Sequence, residues 1–212
     1  MSVQPTVFVV DDDPLVLRTL ERVITSAGWP VDTYPSGVDF LAVCNPNQPG
    51  CIVLDLRMPQ ISGLTIQEQL TARGVSMPII FITAYGEVST AVQAMKAGAV
   101  DFLEKPFSNQ ALLTCVEYAM ARDARARQIR AERDEVSRRT ARLSRREQEV
   151  SELIVAGYTN KEIGDQLGIR VRTVEAHRQR AMKKLQARSV AELTRIVLSA
   201  NRAGPAASSD ET

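Results

Sequence analysis

Cysteine and histidine are scarce in this chain of 212 residues, which has three cysteines and one histidine. No two cysteines form a CxxC pair. This argues against a disulfide framework and a zinc site, and a reducing cytoplasm fits best. No stretch approaches the roughly 20 apolar residues of a membrane span, and the N-terminus lacks the pattern of a signal peptide. We therefore expect a cytoplasmic protein that has no part in a membrane.

Charge is nearly balanced over the whole chain but unevenly distributed along it. The formal net charge is +1. Residues 1–120 contain six Lys or Arg and twelve Asp or Glu, whereas residues 121–212 contain twenty and thirteen. An acidic half can hold a cation, and a basic half can bind a polyanion. The asymmetry and the length together indicate two domains with different partners.

Apolar, β-rich runs alternate with helical patterns through the first half of the chain. This alternation predicts five βα units, which form a doubly wound five-stranded parallel sheet of the α/β class. The predicted strands lie near 6–10, 31–34, 51–54, 78–82 and 101–104, and the predicted helices near 14–27, 37–44, 63–73, 87–97 and 109–121. We expect one domain over residues 1–121.

An arginine-rich segment follows this domain. Residues 122–141 contain neither Gly nor Pro and are rich in Ala, Arg and Glu, so they predict a helical linker. Ile129, Val136 and Leu143 are spaced seven apart, which keeps a dimeric coiled coil open as a weaker alternative.

The third segment has the pattern of a small all-α domain over residues 142–200. Capping boxes begin helices at Ser144 and Thr159, and glycines separate short helices. Residues 201–212 are small and polar, and we expect them to be disordered.

Charged and hydroxyl side chains follow four of the apolar runs: Asp11 and Asp12, Asp55, Thr83, and Lys105. The carboxyl ends of parallel strands meet at one edge of a sheet, so these side chains are expected to lie together. Crowded carboxylates need a cation, and Mg²⁺ suits such a site. A free carboxylate beside the metal can attack phosphorus, with the hydroxyl and the ammonium stabilising the phosphoryl group. Solvated loop acids are the alternative, but they explain four strand-end placements poorly.

The motifs in residues 5–121 resemble the receiver domain of bacterial two-component response regulators, a flavodoxin-like fold. The matching segments are Val10-Asp11-Asp12, Asp55 with Met58-Pro59 and Gly63, Ile82-Thr83-Ala84, and Lys105-Pro106-Phe107. The resemblance implies that Asp55 accepts a phosphoryl group from a sensor histidine kinase, and that the Lys105–Pro106 peptide bond is cis. The implied magnesium ligands are Asp11, Asp12, Asp55 and the backbone carbonyl of Arg57.

Phe102 stands where this family has an aromatic switch residue. The resemblance implies that its ring points outward in the inactive state and turns inward once Thr83 moves toward the phosphate. A phenylalanine cannot form a switch hydrogen bond through a hydroxyl, and a simple core role is the alternative. In related regulators the helix near 87–97 and the next strand form the dimer face, which makes Val92 and Lys96 candidates in a phosphorylated homodimer.

Basic residues recur along the helix predicted from Arg172, which indicates a helix-turn-helix that binds double-stranded DNA. A solvated basic face is the alternative on charge alone. The segments 143–150, 160–163 and 172–177 resemble the LuxR/NarL-type helix-turn-helix, and the whole pattern is similar to the FixJ branch of that family. By this resemblance Glu175, Ala176 and Gln179 read bases, while Lys161, Arg172, Thr173, Arg178 and Lys183 contact phosphates. Many relatives have Ser or Thr where Arg170 stands, so the cap or start of this helix is expected to differ.

Together the resemblances imply a transcription regulator controlled by phosphorylation, and analogy favours activation. The implied partners are a sensor histidine kinase, double-stranded DNA, a second copy of the chain, and RNA polymerase as a further candidate. An aspartyl-phosphate phosphatase would favour an acid two residues after Asp55. Arg57 stands there, so we do not expect an enzyme that acts on external substrates. A phosphate-independent DNA binder is the third class, and the intact acidic pocket argues against it.

Overall fold

The computed structural model describes residues 4–83 and 88–202; for 88–91 and 201–202 it describes the backbone alone. The chain divides into two compact units, Met1–Arg127 and Gln128–Thr212. Within the described ranges, no helix combines the length and the apolar character needed to cross a bilayer.

The first unit is a five-stranded parallel sheet with strand order β2-β1-β3-β4-β5. The predicted α/β fold class is therefore confirmed, and the strand and helix positions agree with the sequence pattern to within a few residues. The strands are β1 (Thr6–Val10), β2 (Val31–Tyr34), β3 (Gly50–Asp55), β4 (Ile79–Thr83) and β5 (Asp101–Glu104), and the helices are α1 (Pro14–Ser26), α2 (Gly37–Val43), α3 (Gly63–Ala72), α4 (Val88–Lys96) and α5 (Asn109–Thr140).

Helices cover both faces of this sheet. One core cluster packs α1 and α5 against the strands and includes Leu20 and Leu112. The other packs α2 and α3 against the strands and includes Phe40 and Ile66. The strands β1, β3 and β4 are buried along their whole length. Burial on both faces explains why their sequences are continuous apolar runs and do not alternate.

The strand register aligns the ends of the strands that carry the candidate site. Val10 pairs with Leu54, Asp55 pairs with Ile82, and Thr83 pairs with Glu104. The residues that follow β1 and β5 therefore emerge at the same edge as Asp55 and Thr83.

Gly63 allows α3 to begin directly beside Asp55. The Gly63 N–H donates to the Leu56 carbonyl at 3.0 Å. A Cβ atom at Gly63 would lie 2.6 Å from the Asp55 carbonyl oxygen and 2.9 Å from the Phe81 ring. The close approach of this helix to β3 thus requires a glycine.

Over its described residues, the second unit contains four helices beyond α5. Both predicted capping boxes are present, at Ser144 with Glu147 and at Thr159 with Glu162. Its core includes Val150, which packs with residues of the other three helices. The helices are α6 (Arg145–Val155), α7 (Asn160–Leu167), α8 (Val171–Leu185) and α9 (Val190–Arg202).

Helix α5 is one uninterrupted helix of 32 residues. It contains nearly all of the segment 122–141, as the composition of that segment predicts. Val136 and Leu143 pack against the core of the second unit, which reduces the apolar surface available to a coiled coil. The boundaries at 121 and 141 remain predictions, and the division into compact units falls after Arg127. The disordered tail was expected from residue 201, but residues 201 and 202 are the last two of the final helix, which ends at Arg202. Residues 203–212 lie outside the described residues.

Replacing Gly63 by Ala is expected to destabilise the first unit by about 1–3 kcal/mol, because the added methyl group overlaps two well-packed neighbours. Urea denaturation followed by circular dichroism measures this change. Glu68→Ala on the exposed face of α3 is the control, with an expected change below about 0.5 kcal/mol. Unchanged stability of Gly63→Ala would contradict the close approach.

Candidate functional site

Three charged side chains meet at the carboxyl edge of the sheet. Nζ of Lys105 lies 2.7 Å from Oδ1 of Asp55 and 2.9 Å from Oδ2 of Asp11. Both aspartates are buried, whereas the Lys105 side chain keeps 31% of its surface exposed. One ammonium group is therefore shared between two buried carboxylates, and these three residues predicted from sequence are brought together.

Backbone amides hold the second oxygen of each carboxylate. The Arg57 N–H donates to Oδ2 of Asp55 at 2.8 Å. The Asp13 N–H donates to Oδ1 of Asp11, also at 2.8 Å. These bonds orient both carboxylates so that each presents its other oxygen to Lys105.

Burial and the neighbouring charges disfavour the ionised form of Asp55, the candidate phosphoacceptor. Burial raises the pKa of the Asp55 carboxyl, and the charge of Asp11 raises it further, while Lys105 opposes both without cancelling them. Burial by itself lowers the pKa of Lys105, but its hydrogen bonds to Asp55 and Asp11 and their charges outweigh burial and raise it. Lys105 is therefore protonated at neutral pH, and another cation near Asp55 would lower the pKa of that carboxyl.

Asp12 and Thr83 lie at the same edge but differ in exposure. Asp12 is exposed, whereas Thr83 is 4% exposed, and its carbonyl accepts from the Lys105 N–H at 2.8 Å. The Lys105–Pro106 peptide bond is cis, as expected.

The donor set at this edge fits a magnesium ion. In the part of the chain that the structure describes, no three potential ligand side chains converge on one point. Asp12 is exposed, and Lys105 contacts both buried carboxylates. Those carboxylates still carry more negative charge than one ammonium neutralises, and Asp12 adjoins them. Carboxylate oxygens supplemented by water are the ligands that Mg²⁺ prefers.

Phe102 on β5 is 40% exposed. The alternative that it is a core residue is therefore wrong, and its exposure agrees with the outward orientation expected of the family's inactive state. Val92 and Met95 on the neighbouring α4 are exposed as well, at 47% and 41%, and Lys96 is exposed beside them.

Helix α8 has one buried face, and its other sides are accessible. Val174, Ala181 and Leu185 are buried. Residues on the other sides of the helix, together with Lys161 on α7, are the candidate DNA contacts. Lys161, Arg172, Thr173, Glu175, Gln179 and Lys183 are exposed, and Ala176 and Arg178 are half-buried.

The start of α8 departs from the usual cap. Arg170 is the N-cap residue, with an extended backbone and no side-chain hydrogen bond to the helix amides. The expected loss of a side-chain cap is confirmed. The helix begins at Val171, one residue earlier than the pattern predicts.

An ion pair between the half-buried Lys184 on α8 and the buried Glu147 on α6 was not found by sequence reasoning. Oε2 of Glu147 lies 2.6 Å from Nζ of Lys184 and accepts from the Ser144 N–H at 2.8 Å. Burial by itself raises the pKa of Glu147, but Lys184 and Ser144 outweigh it and lower the pKa below the usual range. The sequence places Lys184 among the basic residues of the helix. The structure gives it an internal partner 37 residues away, and no local pattern signals that pairing.

Each of the two units matches a known protein family. Residues 7–117 match the response regulator receiver domain, and residues 141–197 match the bacterial regulatory proteins of the luxR family. The chain is 44% identical to the transcriptional regulatory protein FixJ of Azorhizobium caulinodans, over 97% of this chain and 96% of that protein.

Solved structures agree with these matches. The response regulator StyR is 46% identical, with a TM-score of 0.88 over 92% of this chain and 99% of that one. Full-length FixJ from B. japonicum is 35% identical, with a TM-score of 0.57 over 95% and 99%. The chain therefore belongs to the FixJ/NarL family of two-component response regulators, in which a receiver domain and a LuxR-type DNA-binding domain regulate transcription.

Proposed function

We propose that Asp55 is the phosphoacceptor of this regulator and that its phosphorylation controls the DNA-binding domain. Phosphorylation-dependent regulation of transcription is the general mechanism of the family. The observation that carries the assignment to Asp55 is its position at the end of a buried strand. Its Oδ1 contacts the ammonium of Lys105, and its Oδ2 accepts from the Arg57 amide.

Phosphoryl transfer requires an oxygen of Asp55 to attack the phosphorus of a phosphohistidine on the sensor kinase. A new O–P bond forms, the P–N bond breaks, and the histidine of the kinase leaves. Lys105 then exchanges its contact with the carboxylate for a contact with a phosphoryl oxygen, and the Thr83 hydroxyl donates to another. Bound Mg²⁺ would neutralise charge on the phosphoryl group, held by Asp11, Asp12, Asp55 and the Arg57 carbonyl.

The exposed residues of α4 and β5 support a phosphorylation-dependent homodimer. Val92, Met95 and Phe102 offer apolar surface, and Lys96 lies beside them. A change at Thr83 that draws the Phe102 ring inward would alter this surface. Phosphorylation would thus shift an existing equilibrium toward the dimer.

The DNA-binding domain supplies the output. Glu175, Ala176 and Gln179 read bases in the major groove. The residues that bind phosphates are Lys161, Arg172, Thr173, Arg178 and Lys183. A sensor histidine kinase is the proposed source of the phosphoryl group, and RNA polymerase is a further proposed partner. We propose that the regulator activates transcription and that it acts in the cytoplasm. Hydrolysis of the aspartyl phosphate ends the signal, without turnover of external substrates.

Asp55→Asn is expected to incorporate no phosphate from a small phosphodonor with Mg²⁺, because the nucleophilic oxygen is lost. Sedimentation velocity then shows no phosphate-dependent dimerisation. Asp39→Asn, an exposed aspartate on α2, is the control and is expected to behave as wild type. Phosphate-dependent dimerisation that persists in Asp55→Asn would overturn the assignment.

Magnesium chloride is expected to raise the thermal unfolding midpoint of the wild-type chain, because an ion that binds only the folded state stabilises it. At ten times the dissociation constant the stabilisation is about 1.4 kcal/mol. Differential scanning calorimetry against potassium chloride of equal ionic strength measures the effect. Asp11→Asn is expected to lose most of it and Asp39→Asn to keep it; an undiminished effect in Asp11→Asn argues against the site.

Lys183 and Lys184 are adjacent but are expected to affect DNA binding differently. Lys183→Gln removes a phosphate contact and lowers the salt dependence of binding, the slope of log K against log salt, by about 1. Lys184→Gln leaves that slope unchanged, because this lysine pairs with Glu147, and it destabilises the domain. Fluorescence anisotropy across a salt series measures the slopes. Equal reductions would show that Lys184 contacts phosphate too.

A further inference from the structure

Another buried carboxylate lies at the end of β3 opposite to Asp55. Asp123 on α5 is 4% exposed. Its Oδ2 accepts from the Gly50 N–H at 2.9 Å and from Nε of Arg127 at 2.7 Å. This carboxylate therefore joins the helix to the first residue of β3.

Arg127 extends the connection to the loop that precedes β3. One terminal nitrogen of its guanidinium donates to the Asn47 carbonyl at 2.9 Å, and the other donates to the Gln48 carbonyl. Together with Nε, all three guanidinium nitrogens are engaged in a fixed fork. We call Asp123, Arg127, Asn47, Gln48 and Gly50 the helix clamp.

The backbone at Gly50, which donates to Asp123 in the helix clamp, has little conformational freedom. Gly50 has a φ of +149°, and a Cβ atom there would lie 1.9 Å from the carbonyl oxygen of Thr6. No other residue can take this position without displacing β1. The amide that donates to Asp123 is therefore held in a fixed position by the sheet.

The helix clamp lies where the division between the two units crosses α5. Met120 is the last apolar core residue of the helix, and Asp123 is its last buried residue. The second unit begins directly after Arg127. The helix continues without a break to Thr140, and Val136 packs against the core of the second unit.

The helix clamp is separate from the phosphoacceptor site. Gly50 and Asp55 are the two ends of β3, so five residues of strand place them about 17 Å apart. No residue of the clamp contacts Asp11, Asp55 or Lys105 among the hydrogen bonds and ion pairs of the described residues. Substitutions in the clamp are therefore expected to leave the chemistry at Asp55 intact.

We infer that Asp123 and Arg127 are positioning residues that couple phosphorylation of Asp55 to DNA binding, because they fix the rotation and direction of α5 where it leaves the first unit. The inference rests on the proposed function of Asp55. An α-helix turns by about 100° per residue and is stiff. A rotation of α5 at its attachment to the first unit is therefore transmitted along the helix. A loosened attachment lets the helix take several orientations, and the state of one domain then no longer biases the other.

Arg127→Lys is the most direct test, because it keeps the positive charge but replaces the fork with a single ammonium. Arg125→Lys is the matched control, on an exposed arginine of the same helix. The DNA is a duplex selected from a random pool with the phosphorylated wild-type chain. Its affinity is measured with and without a small phosphodonor and Mg²⁺, and the incorporated phosphate is quantified in each sample.

Wild type and Arg125→Lys are expected to gain at least ~10-fold in affinity on phosphorylation, within the usual range of coupling between sites. Arg127→Lys is expected to incorporate the same phosphate but to gain less than about 3-fold, most of the coupling being lost. An undiminished gain in Arg127→Lys overturns the inference. A lower thermal midpoint with an undiminished gain does so as well, because it shows a purely structural role.

Two further results distinguish failure of this inference from failure of the proposed function and from misfolding of a variant. If wild type incorporates no phosphate at Asp55 or gains no affinity, the proposed function fails, whatever the clamp variants do. If Arg127→Lys does not fold, the double variant Asp123→Asn with Arg127→Gln removes both charges together and leaves no unpaired buried ion. This double variant is expected to lose the affinity gain, and retention of the gain would again overturn the inference.

Discussion

The ammonium of Lys105 holds together a group of side chains that would otherwise repel one another. Asp11 and Asp55 are buried at adjacent strand ends, and each presents one oxygen to the same Nζ atom. Burial raises the pKa of Asp55 and the charge of Asp11 adds to that rise, and the one positive charge of Lys105 does not cancel them. The same imbalance suits the site to a divalent cation.

Much of the remaining architecture of the first unit places this cluster. Burial of β1, β3 and β4 on both faces aligns the strand ends, and Gly63 lets α3 start against Asp55. The opposite end of β3 is held to α5 through Asp123, where the helix leaves the first unit. A single strand thus carries the proposed phosphoacceptor, Asp55, at one end and the attachment of the connecting helix at the other.

Local patterns predicted most of the fold and the core of the candidate site. Apolar runs and capping residues act over a few residues, so strands, helices and capping boxes could be located from sequence, and parallel strands bring Asp55 and Lys105 to one edge. The pairs Glu147–Lys184 and Asp123–Gly50 could not be found in this way. Their members are 37 and 73 residues apart, and no periodicity connects residues whose contact depends on how whole helices pack.

The sequence by itself determined the order of the elements, the edge of the sheet at which the acidic residues emerge, and the face of α8 that carries the basic residues. These follow from periodicity and from the geometry of parallel strands. Only the tertiary structure decided that Lys184 pairs with Glu147, that Phe102 lies exposed, and that Arg127 donates to the loop before β3. Burial and partner choice depend on the surroundings of a side chain, and only the packed fold creates those surroundings.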